Sequence, residues 1–431
     1  MNATRLQRLA QALPFHYCWM ILTVVCFACV SRAGPAVATL SMFVTPMTAE
    51  FGWSRTELSG AVSLGGVLAA IASPMIGVYL DRQGPRYVLG GAVLATGITL
   101  MLLSGIQSLL GFYLFYCIAR MSWAGPYDLG IHGAVSNWFV ARRAWAASIA
   151  QLAQTSGLIV MPFIAFTLIE SQGWRTGWMV IGIIVLVVGF LPSWLLMVRR
   201  PEDMGLKPDG IAAPASAEPA RSVVGSPMPA GEPQFTRGEA VRTRAFWTLA
   251  LFTALIYPVQ AGLSLHQAAH LIERGLTPAA TAMAVSFFTL SSAISGFSCG
   301  FINRWLSIKV ALAVSGMLLA GSALTMTVTT TLPEALLAGA FFGLGIGAVH
   351  VILPIAWADY FGRRSFGAIR GVALSIQVVA QAAGPLLSGI LRDATGTYLV
   401  SLACFATLSV LGAVAALLTR APVAGPKAAI N

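Results

Sequence analysis

Almost unbroken apolar runs of about 20 to 30 residues follow one another along this chain, the length an α-helix needs to cross the hydrocarbon core of a bilayer. In lipid every backbone N–H and C=O must find a partner within the protein, so only helices and closed barrels can span. Barrel strands alternate apolar and polar residues over segments of about 10 residues. The runs here do not, so an all-α membrane protein is expected. Composition agrees, with 57% of the 431 residues hydrophobic and 10% charged, against about 25% charged in soluble domains. Twelve spans are expected, at about 17–47, 54–80, 87–107, 109–140, 143–169, 175–198, 245–271, 278–303, 308–330, 333–360, 367–391 and 396–419.

One polar stretch, Arg199 to Arg244, divides the spans into two sets of six. It is dense in Pro, Ala, Gly, Ser and charges and has too few large apolar side chains to offset the entropy of ordering, so it reads as a mobile linker. The domains expected are an N-terminal six-helix lobe over 1–198, the linker over 199–244, and a C-terminal lobe with a short tail over 245–431. An even number of spans puts both termini on one side. That side receives the linker and Arg5, Arg8, Arg82, Arg86, Arg142, Arg143, Arg304, Lys309, Arg363, Arg364, Arg370, Arg420 and Lys427. The opposite side receives Arg55, Arg175, Arg274 and Arg392. Cytoplasmic loops carry the excess of Lys and Arg, so both termini are expected in the cytoplasm and the protein in the plasma membrane, or the inner membrane of a bacterium. The net charge of +11 is thereby a membrane-orientation signal, and no nucleic-acid partner is expected.

The six cysteines (Cys18, Cys26, Cys29, Cys117, Cys299 and Cys404) all fall inside apolar runs and read as packing residues, with no disulfide framework or metal site. Cys26 and Cys29 form a CxxC, whose redox reading is set against its position in mid-span. Arg5 and Arg8 precede a first span too long and too interrupted for a cleaved signal peptide. No GxxxxGK[ST] phosphate loop occurs, so no ATP-driven pump and no cofactor is expected.

The two halves are related. Shifted by about 227 positions, RAWAASIAQLAQTSG (Arg143–Gly157) overlays RGVALSIQVVAQAAG (Arg370–Gly384), with Arg, the Ser-Ile pair, Gln and Gly coinciding. Six spans, a linker and a repeated six is the arrangement of a two-lobed transporter with a central site. The segment Gly77-Val-Tyr-Leu-Asp81-Arg82-Gln-Gly84-Pro-Arg86, between spans two and three, resembles the cytoplasmic loop signature of the major facilitator superfamily. Arg120 in span four stands where many members carry an Arg. FGWSRTELSGA (Phe51–Ala61), YFGRRSFGAIRG (Tyr360–Gly371) and AAGPLLSGILRD (Ala382–Asp393) resemble the monocarboxylate transporter and oxalate–formate exchanger branch. The resemblance implies the major facilitator fold, twelve transmembrane helices in two pseudo-symmetric six-helix lobes, with spans one, four, seven and ten lining a central cavity. Two departures stand out. No charge lies between Thr281 and Gly300, where that branch holds a substrate-binding Arg, and this chain has Arg32 where some members carry a span-one cation nearer Ala38.

Charges at mid-membrane cost at least ~2.5–3.5 kcal/mol each on insertion scales, so each needs a reason. Arg32 lies about 15 residues, or ~22 Å, from the cytoplasmic end of span one, too deep for its side chain to reach the surface. Arg120 lies at a comparable depth in span four. Two guanidiniums facing one cavity form a carboxylate site; the alternative for each is a structural tie to backbone carbonyls or to Asp128. Asp128, the one carboxylate well inside a span, reads as a proton carrier or as a permanent ion pair. His266 and His270, four apart and on one helical face, read as substrate or proton contacts or as solvated helix-end residues, with Tyr257 and Gln260 further in. No third ligand and no HEXXH accompany them, so zinc is not expected. His350 and Tyr127 complete the substrate-binding candidates, with His132 placed behind these.

Gly77, Asp81, Arg82, Gly84, Arg86, Arg143 and Arg370 are the expected gating residues. Resemblance gives the 77–86 loop the role of a latch, with Asp81 accepting hydrogen bonds from the start of span eleven, where free N–H groups favour a negative charge. The function expected is alternating-access transport of a small organic anion, monocarboxylate-like, with a proton as coupling ion. The alternatives are anion exchange, efflux of drugs or metabolites, and, from a different class, a non-transporting membrane sensor. No Ser/His/Asp set or carboxylate pair within spans suggests an enzyme.

Overall fold

A computed structural model describes residues 3–210, 233–302 and 306–422, and among these every regular element is helical. The amino-terminal half comprises α1 (Ala3–Ala12), α2 (Cys18–Ser31), α3 (Val37–Phe51), α4 (Arg55–Gln83), α5 (Pro85–Leu103), α6 (Leu109–Ala124), α7 (Pro126–Trp138), α8 (Arg143–Gln172), α9 (Trp174–Ile184) and α10 (Leu191–Leu196). A π-helical stretch, Val185–Phe190, joins α9 to α10 in one span. After α11 (Arg237–Ala240) come α12 (Arg244–Glu273), α13 (Pro278–Ile302), α14 (Ile308–Val328), α15 (Leu332–Phe361), α16 (Phe366–Thr395) and α17 (Leu399–Leu418). Asn303 and Arg304 lie outside the described residues, as do 211–232 and Lys427.

Ten helices, counting the α9–α10 span as one, are long and apolar enough to cross a membrane. The other two expected spans, one and four, are each broken into two helices, α2 with α3 and α6 with α7, and the breaks have chemical causes. At the first, Gly34-Pro35 removes an N–H donor and leaves Ala36 extended at φ −66°, ψ 152°. The carbonyls freed by the break are not left dry. Thr39 Oγ1 donates to Ala33 O at 2.7 Å, and the Tyr116 hydroxyl donates to Pro35 O at 3.1 Å. At the second, Gly125 adopts φ −115°, ψ −84° and Pro126 starts α7. Irregular backbone at membrane depth is tolerated where it lines a cavity or is buried in protein. Long apolar side chains such as Phe163 (69% exposed) and Met75 (66%) point outward, as a lipid-facing surface requires.

Helices pack closely where small residues allow it. Within the second half, β-carbons placed on Gly343 and Gly347 would lie 2.3 Å from Phe288 O and Ser292 O on α13. The halves meet along two helix pairs, α4 with α16 and α8 with α13. Contact is closest at the end bearing the N-terminus and the linker: a β-carbon on Gly77 would lie 2.0 Å from Gly367 O, and one on Gly371 2.5 Å from Ser73 O. Further along, Ser375 Oγ donates to Ala70 O, whereas a β-carbon on Gly66 would meet nothing nearer than Val378 at 3.9 Å. The two helices therefore close at the linker end and diverge away from it.

The described ends of the stretch between the halves are docked, which corrects the expectation of a mobile segment throughout 199–244. Trp138 Nε1 and Asn137 Nδ2 donate to Val198 O and Arg199 O. Asp209 Oδ2 accepts from the N–H groups of Val140 (3.0 Å) and Arg142 (2.7 Å). On the other side of the linker, Phe235 N–H donates to Phe361 O at 3.1 Å, and their rings meet edge to face. Composition averaged over the whole stretch concealed these anchors. Asp209→Ala removes the acceptor for two backbone donors, so a loss of about 1–3 kcal/mol and a lowered Tm in detergent are expected. Deleting 211–230 should leave Tm and transport unchanged, and thermal unfolding of both variants checks the contrast.

Candidate functional site

The two broken spans carry the charges of the membrane interior. Arg32 caps α2 at the first break, and its three nitrogens are all engaged. Nε donates to Trp123 O (3.1 Å), Nη1 to Gln154 Oε1 (3.0 Å), and Nη2 lies 3.7 Å from Asp128 Oδ1. Its guanidinium lies 4.8 Å from the Trp123 ring centre. Arg120, on the last turns of α6, stacks on the same ring at 4.0 Å, a favourable cation–π geometry. Trp123 therefore gathers two guanidiniums on one indole. Unlike Arg32, Arg120 has two buried nitrogens, Nε and Nη1, with no hydrogen-bond partner.

Asp128 lies in the first turn of α7, where free N–H groups favour a carboxylate. Its Oδ2 accepts from Arg370 Nη2 at 3.1 Å, and its Oδ1 lies 3.7 Å from both Arg32 Nη2 and His132 Nε2. Arg370 comes from α16, so this ion pair joins the two halves. Arg370 Nη2 also donates to Gln377 Oε1 at 2.9 Å, while its Nε and Nη1 are buried and unpartnered. Arg370 was expected among the linker-end gating residues. It instead enters the central charge cluster, because its long side chain reaches inward from the start of α16. Tyr257 and His350 face each other across 6.4 Å.

Several expected site residues lie elsewhere. Tyr127 is fully buried in the first half, with its hydroxyl 3.4 Å from Ser31 Oγ, so it supports the break rather than lining a cavity. His266 and His270 do share a face of α12, but that face turns into the second half. His266 is held between Pro385 O (3.2 Å) and the Tyr398 hydroxyl (3.3 Å), and His270 Nε2 lies 2.8 Å from Met326 O. Both imidazoles are thus engaged within the second half, away from the central charge cluster; helical spacing gave the shared face but not the neighbour covering it. Gln260 accepts from Gln381 Nε2 at 2.9 Å and donates to Ser264 Oγ. Among the described residues no His/Cys/Asp/Glu group suited to a metal occurs, and the six cysteines are free thiols.

At the linker end, Asp81 Oδ1 and Oδ2 accept from Gly367 N–H and Ala368 N–H, both at 2.8 Å, in the first turn of α16. Gly84, at φ 87°, turns the chain from α4 into α5 where a β-carbon would collide with Arg199. Arg82 is exposed, and Arg86 stacks on Trp194 of the same half at 5.1 Å. Other basic residues hold this end. Arg199 donates to Asp81 O. Arg363 donates to Asn137 O (2.9 Å) and Glu202 Oε1 (2.7 Å). Arg143 pairs with Asp359 across the halves. Sequence reasoning passed over Gln154, Gln377 and Asp359. Gln154 carried a signal in the repeat, where it overlays Gln381, itself bonded within the second half.

Replacing His270 by Ala orphans a buried carbonyl, so a loss of about 1–3 kcal/mol of stability is expected with unchanged ligand response. Thermal unfolding with and without ligand tests this separation.

Residues 20–385 match the family described as Major Facilitator Superfamily. The chain is 25% identical over 397 residues to monocarboxylate transporter 11 of Mus musculus, covering 88% of this chain and 83% of the relative. It is 24% identical over 336 residues to the oxalate:formate antiporter of Oxalobacter formigenes, covering 75% and 72%. Its fold is similar to that of the human organic anion transporter MFSD10 (TETRAN), with a TM-score of 0.70 at 15% identity over 94% of this chain and 99% of that one. With a family match over most of its length, and twelve spans in two related halves around a buried charge cluster, this multi-pass membrane protein belongs to the Major Facilitator Superfamily of transporters.

Proposed function

We propose that the protein is a secondary transporter that moves a small organic anion, monocarboxylate-like, across the plasma membrane by alternating access, with a proton as coupling ion. One observation carries this reading: the Nε and Nη1 donors of Arg120 are buried without a partner, on the same indole that holds Arg32. Buried donors without acceptors are costly, and a carboxylate is the partner guanidiniums recognise best. Arg32, with each of its nitrogens facing Trp123, Gln154 or Asp128, acts mainly as the tie that positions this surface. The two relatives, a monocarboxylate transporter and an oxalate:formate antiporter, support an anionic cargo. An efflux carrier for hydrophobic cations would call for an accessible cavity acid, and here the acid is outnumbered by guanidiniums.

The linker end faces the cytoplasm in this reading, with the loop arginines on that side. The lobes rock about the central cluster. Opening that side separates α4 from α16 and releases Asp81 from the first turn of α16, so Gly77, Asp81 and the Arg143–Asp359 pair act as the gate. Asp128 takes the coupling proton when the lobes part and Arg370 withdraws. Anion exchange is the second reading, favoured by the same ion pair, which engages Asp128 with a guanidinium from each half.

A thermal-shift screen of purified protein in detergent against organic acids, amino acids and cationic dyes tests the class of cargo. A carboxylate is expected to raise the Tm of the wild type, and Arg120→Gln to abolish that shift while leaving the unliganded Tm nearly unchanged. Arg32→Gln should lower the unliganded Tm as well. Stabilisation by cationic dyes alone, indifferent to both substitutions, would overturn the anion reading.

A further inference from the structure

We propose that a groove between the two halves at the linker end binds an anionic phospholipid, its phosphate on Arg142 and one acyl chain along α13. The site is independent of the cargo and would stand for a carrier of any substrate. The groove measures about 410 Å³, within the range of small-molecule sites. Trp19, on the first turn of α2, lines it from the first half, with Arg142, Ala144 and Trp145 at the start of α8. Gly300 and Phe301, at the end of α13, line it from the second half. Gly300 lets α13 close on α8 here, since a β-carbon on it would lie 3.0 Å from Ser148 Oγ and 3.2 Å from Trp145 Cα.

The charge of the groove is positive and unanswered. No carboxylate lines it, and among the described residues the exposed Arg142 guanidinium has neither an ion pair nor a hydrogen bond. Its neighbour Arg143, by contrast, is paired with Asp359. Asp209 accepts from the backbone N–H groups of Val140 and Arg142, which fixes the loop and leaves the guanidinium unengaged. Trp19 and Trp145 meet edge to face at 5.1 Å, and neither indole N–H has an acceptor among the described residues. Such rings at a membrane surface offer an apolar body to acyl chains and an N–H to headgroups. From Phe301 an exposed apolar strip continues along one face of α13 through Phe297, Ile294 and Leu290. A cation at the membrane surface with an apolar track leading inward from it matches the profile of one lipid molecule. A soluble anion would use Arg142 and leave the track uncovered. Because both halves line the groove, a lipid seated in it would also hold the linker end closed.

The test is a thermal-shift titration of the full-length protein in a non-ionic detergent with phosphatidylglycerol, phosphatidylcholine and soluble glycerol phosphate. Phosphatidylglycerol is expected to raise the Tm at concentrations about fivefold lower than phosphatidylcholine, as one basic contact to an anionic lipid implies. That preference should vanish in Arg142→Gln and persist in Arg142→Lys. It should also persist in Arg420→Gln, which removes an exposed charge from the same end but outside the groove. Phe301→Ala should raise the concentration needed of either lipid, and glycerol phosphate should have no effect. A preference that is absent in the wild type, survives Arg142→Gln, or is lost equally in Arg420→Gln overturns the proposal. So does a response to glycerol phosphate equal to that of the lipid, which would make Arg142 a site for soluble anions. A preference that emerges only when 211–230 is deleted would assign the groove to the linker and overturn the lipid as its occupant. None of these results bears on the anion-transport reading.

Discussion

The interaction on which the rest depends is the carboxylate of Asp128 shared between guanidiniums of the two halves, with Arg370 at 3.1 Å and Arg32 at 3.7 Å. Removing one partner of such a buried pair typically costs several kcal/mol, because it leaves a charge uncompensated. The surrounding architecture serves to hold these groups. Gly125 and Pro126 interrupt span four so that Asp128 starts a new helix and meets its free N–H groups, and Gly34-Pro35 interrupt span one just beyond Arg32. Trp123 binds the first break to the second through its carbonyl and its ring. Helix interruptions and charges thus coincide, as in other carriers whose sites lie where helices are discontinuous.

Cross-half contacts follow the internal repeat. The shift that overlays Arg143 on Arg370 relates two ion pairs, Arg143 with Asp359 and Arg370 with Asp128, each reaching the opposite half. The same shift sets Asp359 against His132, one turn beyond Asp128, so the symmetry is approximate and one pair lies deeper than the other. Together with Asp81 on the first turn of α16 and Arg363 on Asn137 O, these contacts close the linker end.

Much of the fold was legible because lipid imposes a simple rule on sequence: long apolar runs must be helices, and polar stretches must lie outside. The depth of Arg32, Arg120 and Asp128 could be read along the spans, and Trp123 is the ring that gathers the two arginines. What hydropathy cannot give is the rotational setting of a helix once both its faces are apolar. His266 and His270 were correctly paired on one face, yet that face looks toward Tyr398 and Met326. Arg82 and Arg86 belonged to a recognisable loop, but Arg199 and Arg363, from segments far away in sequence, supply the basic contacts there. Gln154 and Gln377 look like ordinary polar residues of a helix until Arg32 and Arg370 are placed beside them.

The central claim, that this cluster carries an anion across the membrane, is tested most directly by flux into liposomes containing the purified protein. Labelled oxalate and labelled lactate would be followed in wild type and Arg120→Gln, with protein-free liposomes as background. The account predicts time-dependent, saturable uptake of at least one of these anions by the wild type and none above background by the variant. Saturable uptake that is equal in Arg120→Gln would contradict it, as would flux of cationic dyes with no flux of either anion.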